Sequence, residues 1–138
     1  MKIHKLAGID IGSNSVRLLV SNVIETKDQV IFKKSSLTRL PIRLGPDAFG
    51  EGKITARNRK RLLAGMLAYR NIMEVHNVEK YRACATSALR ESKNGLQVVE
   101  EIYVCMLYFL MLKTVRNHLL RVVNTLHICS VNKMMRQK

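Results

Sequence analysis

The chain of 138 residues predicts an α/β fold, and three observations carry that expectation. Residues 6–20 read as a buried strand, a short polar turn and a second buried strand. A helical apolar stripe follows from Thr55 to about His76. A further short strand covers residues 80–86, after which the chain turns toward a last helical stretch.

The elements follow in order. Residues 4–11 form the first strand. Residues 15–23 form the second, with Val16, Leu18 and Val20 alternating against Arg17, Leu19 and Ser21. A polar turn at 25–28 leads to a third strand over 29–36, with Val30 and Phe32 expected in the core. Strands joined by such short turns make an antiparallel meander. Residues 41–52 hold both prolines, and residues 44–50 are expected as a loop, either a plain connector or a ligand-facing one. Thr55 is a candidate N-cap for the long helix. Leu62, Leu63, Met66, Leu67 and Met73 trace its apolar stripe, interrupted at Arg70. Arg57, Arg59, Lys60 and Arg61 crowd its first two turns, where each exposed cation opposes the helix dipole at a cost of about 0.3–1 kcal/mol. They are either a solvated basic face or a surface that meets a long polyanion. In the strand over 80–86, Tyr81, Ala83 and Ala85 share one face. Asn94 is a candidate N-cap for a helix beginning at Gly95.

The chemistry concentrates at the first turn. Asp10 closes the first strand, and Gly12 leaves the backbone free to turn and approach a ligand. Ser13, Asn14 and Ser15 add short hydrogen-bonding side chains and backbone N–H groups, a set that can form a concave nest for an anion such as phosphate. Asp10 is placed to hold a divalent metal or to orient a water beside it. An ordinary hairpin with a polar tip uses the same residue types. The turn is not a P-loop, because the GxxxxGK[ST] spacing is absent. Arg90 follows a run of small residues and can bind phosphate in a two-pronged manner, although a lone arginine there also suits a surface.

Net charge is +14, which favours an anionic partner: polyphosphate, nucleotide, nucleic acid or an acidic membrane. With no Trp, three Phe, and tyrosines that do not interleave with the basic runs, single-stranded nucleic acid is a poor fit. Cys84, Cys105 and Cys129 lack metal-ligand spacing, and no signal peptide is recognisable at the N-terminus, which suggests reduced thiols in a cytoplasmic protein. His4 and His76 have no partner pattern, and His118 and His127 are too far apart for a helical metal pair. All ten acids lie in residues 1–101, whereas residues 102–138 hold six Lys/Arg and no acid. The apolar run over 102–112 falls short of the roughly 20 residues that span a bilayer. It suits a buried or amphipathic helix.

The stretch Asp10-Ile11-Gly12-Ser13-Asn14-Ser15-Val16-Arg17 resembles the first phosphate loop of the exopolyphosphatase / guanosine pentaphosphate phosphohydrolase (Ppx/GppA) family. Pro41-Ile42-Arg43-Leu44-Gly45 and Ala85-Thr86-Ser87-Ala88-Leu89-Arg90-Glu91, followed by Asn94-Gly95, fit the same family in the same order. The resemblance covers about residues 1–101. It implies an incomplete N-terminal ribonuclease-H-like lobe of the actin-like ATPase superfamily, which begins with just such a meander. It also implies phosphate contacts from Gly12, Ser13, Asn14, Ser15 and Arg90, and Mg²⁺ at Asp10. Polyphosphate or guanosine pentaphosphate is the implied ligand, and full-length relatives are expected to form homodimers in some cases. Past Ile102 the family pattern stops. The catalytic glutamate and the second glycine-rich phosphate loop that the family carries are not found, and Glu91 does not match the glutamate's position, so no catalytic base is assigned. A reading-frame change or truncation accounts for the tail over 102–138, which is expected to be helical or poorly ordered and to pack poorly from residue 103 on. An authentic helix is the other reading. The expectation for function is a phosphohydrolase fragment that holds phosphate without efficient turnover. The alternative is a basic protein that binds polyanions or membrane surfaces without catalysis.

Overall fold

The computed structural model describes residues 1–116, with side chains through residue 107. Residues 117–138, including His118, His127 and Cys129, lie outside the described residues, and so does the part of the tail expectation that falls on them.

Four strands make one sheet in the order β3-β2-β1-β4. They are β1 (Lys2–Ile11), β2 (Val16–Glu25), β3 (Val30–Leu40) and β4 (Lys80–Ala85). The first three form the expected antiparallel meander, and β4 lies parallel to β1. A parallel neighbour needs a long crossover, here made by α1 (Ala56–Val75). The short α2 (Ser87–Glu91) and long α3 (Gly95–Arg116) follow β4.

The strand alternation sorts the two faces of the sheet. Ile9, Ile11, Val16, Leu18, Val20, Tyr81, Ala83 and Ala85 are buried under Leu62, Met66, Tyr69 and Met73 of α1 and Val98, Val99, Ile102 and Met106 of α3. Both helices therefore cover the same face. On the other face Gly8, Asp10, Arg17, Leu19, Leu37, Arg39 and Arg82 are exposed.

Two core expectations are corrected. Val30 is 54% exposed and Phe32 72% exposed. Phe32 pairs with Val23 and Val30 with Glu25, which puts both on the open face at the end of the sheet away from the turn over 12–15. In α1 the stripe is Leu62, Met66, Tyr69 and Met73, while Leu67 is partly exposed. The interruption expected at Arg70 is filled instead by Tyr69. Its ring is fully buried, and its hydroxyl donates to the Val16 carbonyl at 2.7 Å. Burial pushes the Tyr69 pKa up to about 12, so this donor keeps its proton.

The region expected as a loop contains a helical turn over Asp47–Glu51. Asp47 is buried, and its Oδ2 accepts from the Thr55 N–H at 2.8 Å and from the Thr55 hydroxyl at 2.7 Å. Burial acts to raise the Asp47 pKa, but the two Thr55 bonds, with help from Asn58 and Arg57, leave it below the usual carboxylate value. Thr55 also caps α1 as expected, its Oγ1 accepting from the Asn58 N–H at 3.3 Å. Asn94 directly precedes α3 and its carbonyl accepts from the Val98 N–H at 3.1 Å, but its side chain is bonded elsewhere. Its Oδ1 accepts from the Ile54 N–H and its Nδ2 donates to the Ile54 carbonyl, each at 2.8 Å. The side chain is taken up by a two-way bond to a segment 40 residues earlier.

α3 runs unbroken across the change in composition at Ile102, and Ile102 and Met106 both sit in the core. Met106 thus departs from the poor packing expected from residue 103. Arg59 pairs with Glu101 at 2.9 Å and ties the start of α1 to α3. His4, which lacked a visible partner in the sequence, has one across the sheet end: its Nδ1 lies 2.9 Å from the Glu79 carboxylate, which also accepts from the Lys5 N–H at 3.1 Å. Among the described residues no helix is long and apolar enough to cross a membrane.

Candidate functional site

β1 and β4 are parallel and in register at Ile11 and Ala85, so both deliver their following residues to one edge of the sheet. Ligands of α/β sheets gather at such carboxyl ends. Thr86 fixes the alignment. Its N–H donates to the Ile11 carbonyl at 3.1 Å, and its hydroxyl donates to the same oxygen at 3.2 Å. The turn over 12–15 and the turn over 86–90 therefore share an edge.

Within the first turn, the Gly12 N–H donates to the Ser15 carbonyl at 3.1 Å. A Cβ on Gly12 would stand 3.0 Å from that oxygen, so the closure of the hairpin leaves little room for a side chain at this position. Ser13 is the hub. Its carbonyl accepts from the Gly45 N–H at 2.8 Å, and its hydroxyl lies 3.1 Å from the hydroxyl of Ser87. Three stretches far apart in the chain thus meet on one residue: 12–15, 41–45 and 85–91. Asn14 is exposed at the tip. Ser15 is buried, and its Oγ accepts from the Arg17 Nε at 3.4 Å.

Asp10 is exposed on the open face, level with Arg17 on β2 and Cys84 on β4. Among the described residues no three His, Cys, Asp or Glu side chains cluster as a metal site. Mg²⁺ commonly takes one or two carboxylates and completes its shell with water and phosphate oxygens. Asp10 offers one such carboxylate beside the turn over 12–15.

Arg90 lies on α2, one turn past Thr86, whose carbonyl accepts its N–H at 3.2 Å. Its guanidinium is half exposed, and Nη2 donates to the Glu91 carboxylate at 3.4 Å. Glu91 is thereby engaged with its neighbour at the surface. Thr86, Ser87 and Gly45 were not singled out as separate site residues from the sequence. The signal for them was their place inside the second and third family-like stretches.

No protein-family model matches the chain. Among solved structures, an Aquifex aeolicus Ppx/Gppa enzyme is similar, with 26% identity and a TM-score of 0.64 over 73% of this chain. An exopolyphosphatase from Cytophaga hutchinsonii is similar at 25% identity and a TM-score of 0.65, again over 73% of this chain. In its N-terminal part, the chain belongs to the Ppx/GppA family. A curated relative, the bifunctional 3-dehydroquinate synthase/phosphatase of Fusobacterium nucleatum, is 34% identical over 100 residues, or 70% of this chain. The chain spans 15% of that relative's length and about a third (32% and 31%) of the two solved Ppx/GppA structures. The meander with its parallel β4 is accordingly an incomplete lobe of the actin-like ATPase fold expected from the resemblance.

Proposed function

We propose that this chain is a phosphate-holding half-site of an exopolyphosphatase-family phosphohydrolase, which binds the terminal phosphate of polyphosphate or guanosine pentaphosphate and does not turn it over efficiently. The observation that carries the reading is the convergence on Ser13 of Gly45 and Ser87, one from each of the other family-like stretches. In this reading Ser13, Asn14 and Ser15, on the turn that Gly12 closes, supply donors to the phosphate oxygens, and Arg90 turns from Glu91 to the anion. Asp10 holds Mg²⁺ together with the phosphate, and the ion when bound neutralises phosphate charge. Phosphoryl transfer needs an in-line water and a group to orient it as well as phosphate donors. None of the described carboxylates has been assigned that part. A cytoplasmic setting belongs to the same reading.

The test is polyphosphate binding and phosphate release by the purified chain with Mg²⁺, beside Asp10→Ala and Arg90→Ala. Binding without release, weakened about tenfold or more by either substitution, is expected, since a charged contact contributes about 1.5–3 kcal/mol. Robust release by the parent, abolished by both substitutions, would show that the half-site is sufficient for catalysis. A second reading rests on the net charge of +14: a general polyanion or membrane-surface binder. It predicts steeply salt-dependent binding that ignores both substitutions.

A further inference from the structure

At the far side of the sheet from β4, β3 is an edge strand of 11 residues that pairs, among the described residues, only with β2. An edge strand offers a row of main-chain N–H and C=O groups as a template for another strand. Most short edges are protected by burial or brevity. β3 is long, and every residue from Val30 to Ser35 is exposed. Four apolar side chains stand in solvent along it: Val30 at 54%, Ile31 at 41%, Phe32 at 72% and Leu37 at 56% exposure. Register with β2 puts Val30, Phe32, Lys34, Leu37 and Arg39 on the open face, with Leu19 beside Leu37.

The charge along this edge has one sign. β3 carries Lys33, Lys34 and Arg39 and no acid. Arg17 stands directly across from Arg39 on the same face. Edge lysines deter pairing with a strand of neutral or positive character. They also deter a second copy of this chain, which would bring the same cations and the same net charge of +14. An acidic strand reverses that balance: its carboxylates meet the cations, its apolar side chains meet Phe32 and Leu37, and its backbone takes up the open ladder.

We propose that the β3 edge is a docking site for an extended acidic peptide segment that adds as a fifth strand, with carboxylates and β-branched residues interleaved along the face it shares with Phe32, Lys34, Leu37 and Arg39. The site is on the opposite sheet edge from β4 and does not depend on the phosphate-binding proposal.

The probe is a twelve-residue peptide built of Val-Thr-Glu-Thr repeats, which places Val and Glu in turn on one strand face, titrated into the full chain. Binding is expected with hydrogen-exchange protection gained across residues 30–40. Lys34→Glu with Arg39→Glu should weaken it at least tenfold, and the same peptide with Lys in place of Glu should not bind. A control independent of the protein's folding uses N-methylation of the peptide. Methylating one alternate set of amides should abolish binding, and methylating the other set should leave it. Equal binding by both methylated peptides would show that no strand is added, and the proposal fails. It fails equally if the new protection falls on the basic start of α1, over 57–61, or if β3 is protected by self-association at rising protein concentration. Displacement of the peptide by a single-stranded oligonucleotide or by phosphatidylserine vesicles that themselves protect 30–40 would reassign the face to general polyanion binding and overturn the proposal.

Discussion

At the Ile11–Val16 end of the sheet, the strand ladder is roofed by α1 and α3, and the loops are tied to one another by Thr86, Gly45 and Tyr69. At the other end the same ladder continues through Val23–Phe32, Ile24–Ile31 and Glu25–Val30, with Phe32, Ile31 and Val30 largely in water. Side-chain hydrophobicity does not separate the two ends. What separates them is reach. The buried positions of α1 run from Leu62 to Met73, and their partners on the sheet are Ile9, Ile11, Val16, Leu18 and Val20. Among the described residues no helix covers the open face, and Val30, Phe32 and Leu37 on it stay largely in water however regular their alternation. The residues proposed to hold phosphate sit at the roofed end, where fixed geometry is available. The proposed docking edge runs from the bare end toward it along β3.

Substitutions can break this contrast, and the largest effect is expected at Gly95. A Cβ there would run into the Leu89 carbonyl, which belongs to the backbone and cannot swing aside. Gly95→Ala should cost about 3 kcal/mol of unfolding free energy, within the range for forced overpacking, read from the urea midpoint. A loss under about 1 kcal/mol would mean that the α2–α3 corner yields easily and the roofed end is softer than described. Tyr69→Phe is next. It leaves the Val16 carbonyl without its buried donor, at a cost of about 2 kcal/mol by the same measurement.

Asp47→Asn should cost about 1.5 kcal/mol, because a charge-assisted acceptor for both Thr55 donors becomes a neutral one. The sign of its pH dependence follows from the depressed pKa. In the parent, the Asp47 contribution is complete above the ordinary carboxylate value and is lost as pH falls through the lowered folded value. Glu79, whose pKa is lowered by the His4 and Lys5 bonds against an opposing burial effect, titrates in the same sense. Comparing Asp47→Asn with the parent across acid pH isolates the Asp47 share, and parallel curves would refute it. The smallest effect is expected at Phe32→Ser, which should change stability by less than about 0.5 kcal/mol. A loss near 2 kcal/mol would show Phe32 to be packed in solution and erase the difference between the two ends.

The meander, α1, β4 and the shared edge of the two turns were legible because each rests on local signals. Val16, Leu18 and Val20 alternate, Thr55 sits before a helical stripe, and small residues close β4. What was not legible depends on what lies across space. Val30 and Phe32 look like core until the extent of α1 is known. Asn94 looks like a side-chain cap because its use by Ile54, 40 residues away, leaves no local trace. Asp47 sat in a proline- and glycine-rich stretch that hid both its helical turn and its grip on Thr55. The change in composition at Ile102 is a fact about charge. The helix that crosses it follows the spacing of Val98, Ile102 and Met106 instead.

The bond between Ser13 and Ser87 joins residues 74 apart in the chain. At the usual pace of about 5–20 residues per second, a ribosome makes the second serine roughly 4–15 s after the first. The hairpin over 2–25 can form early, being local. Its turn must then wait with an incomplete set of neighbours until the polypeptide through α2 has left the exit tunnel. A nascent chain arrested before Thr86 would carry a finished hairpin and an open corner, and it should be more exposed to proteases and chaperones at that corner than the same residues in the released protein.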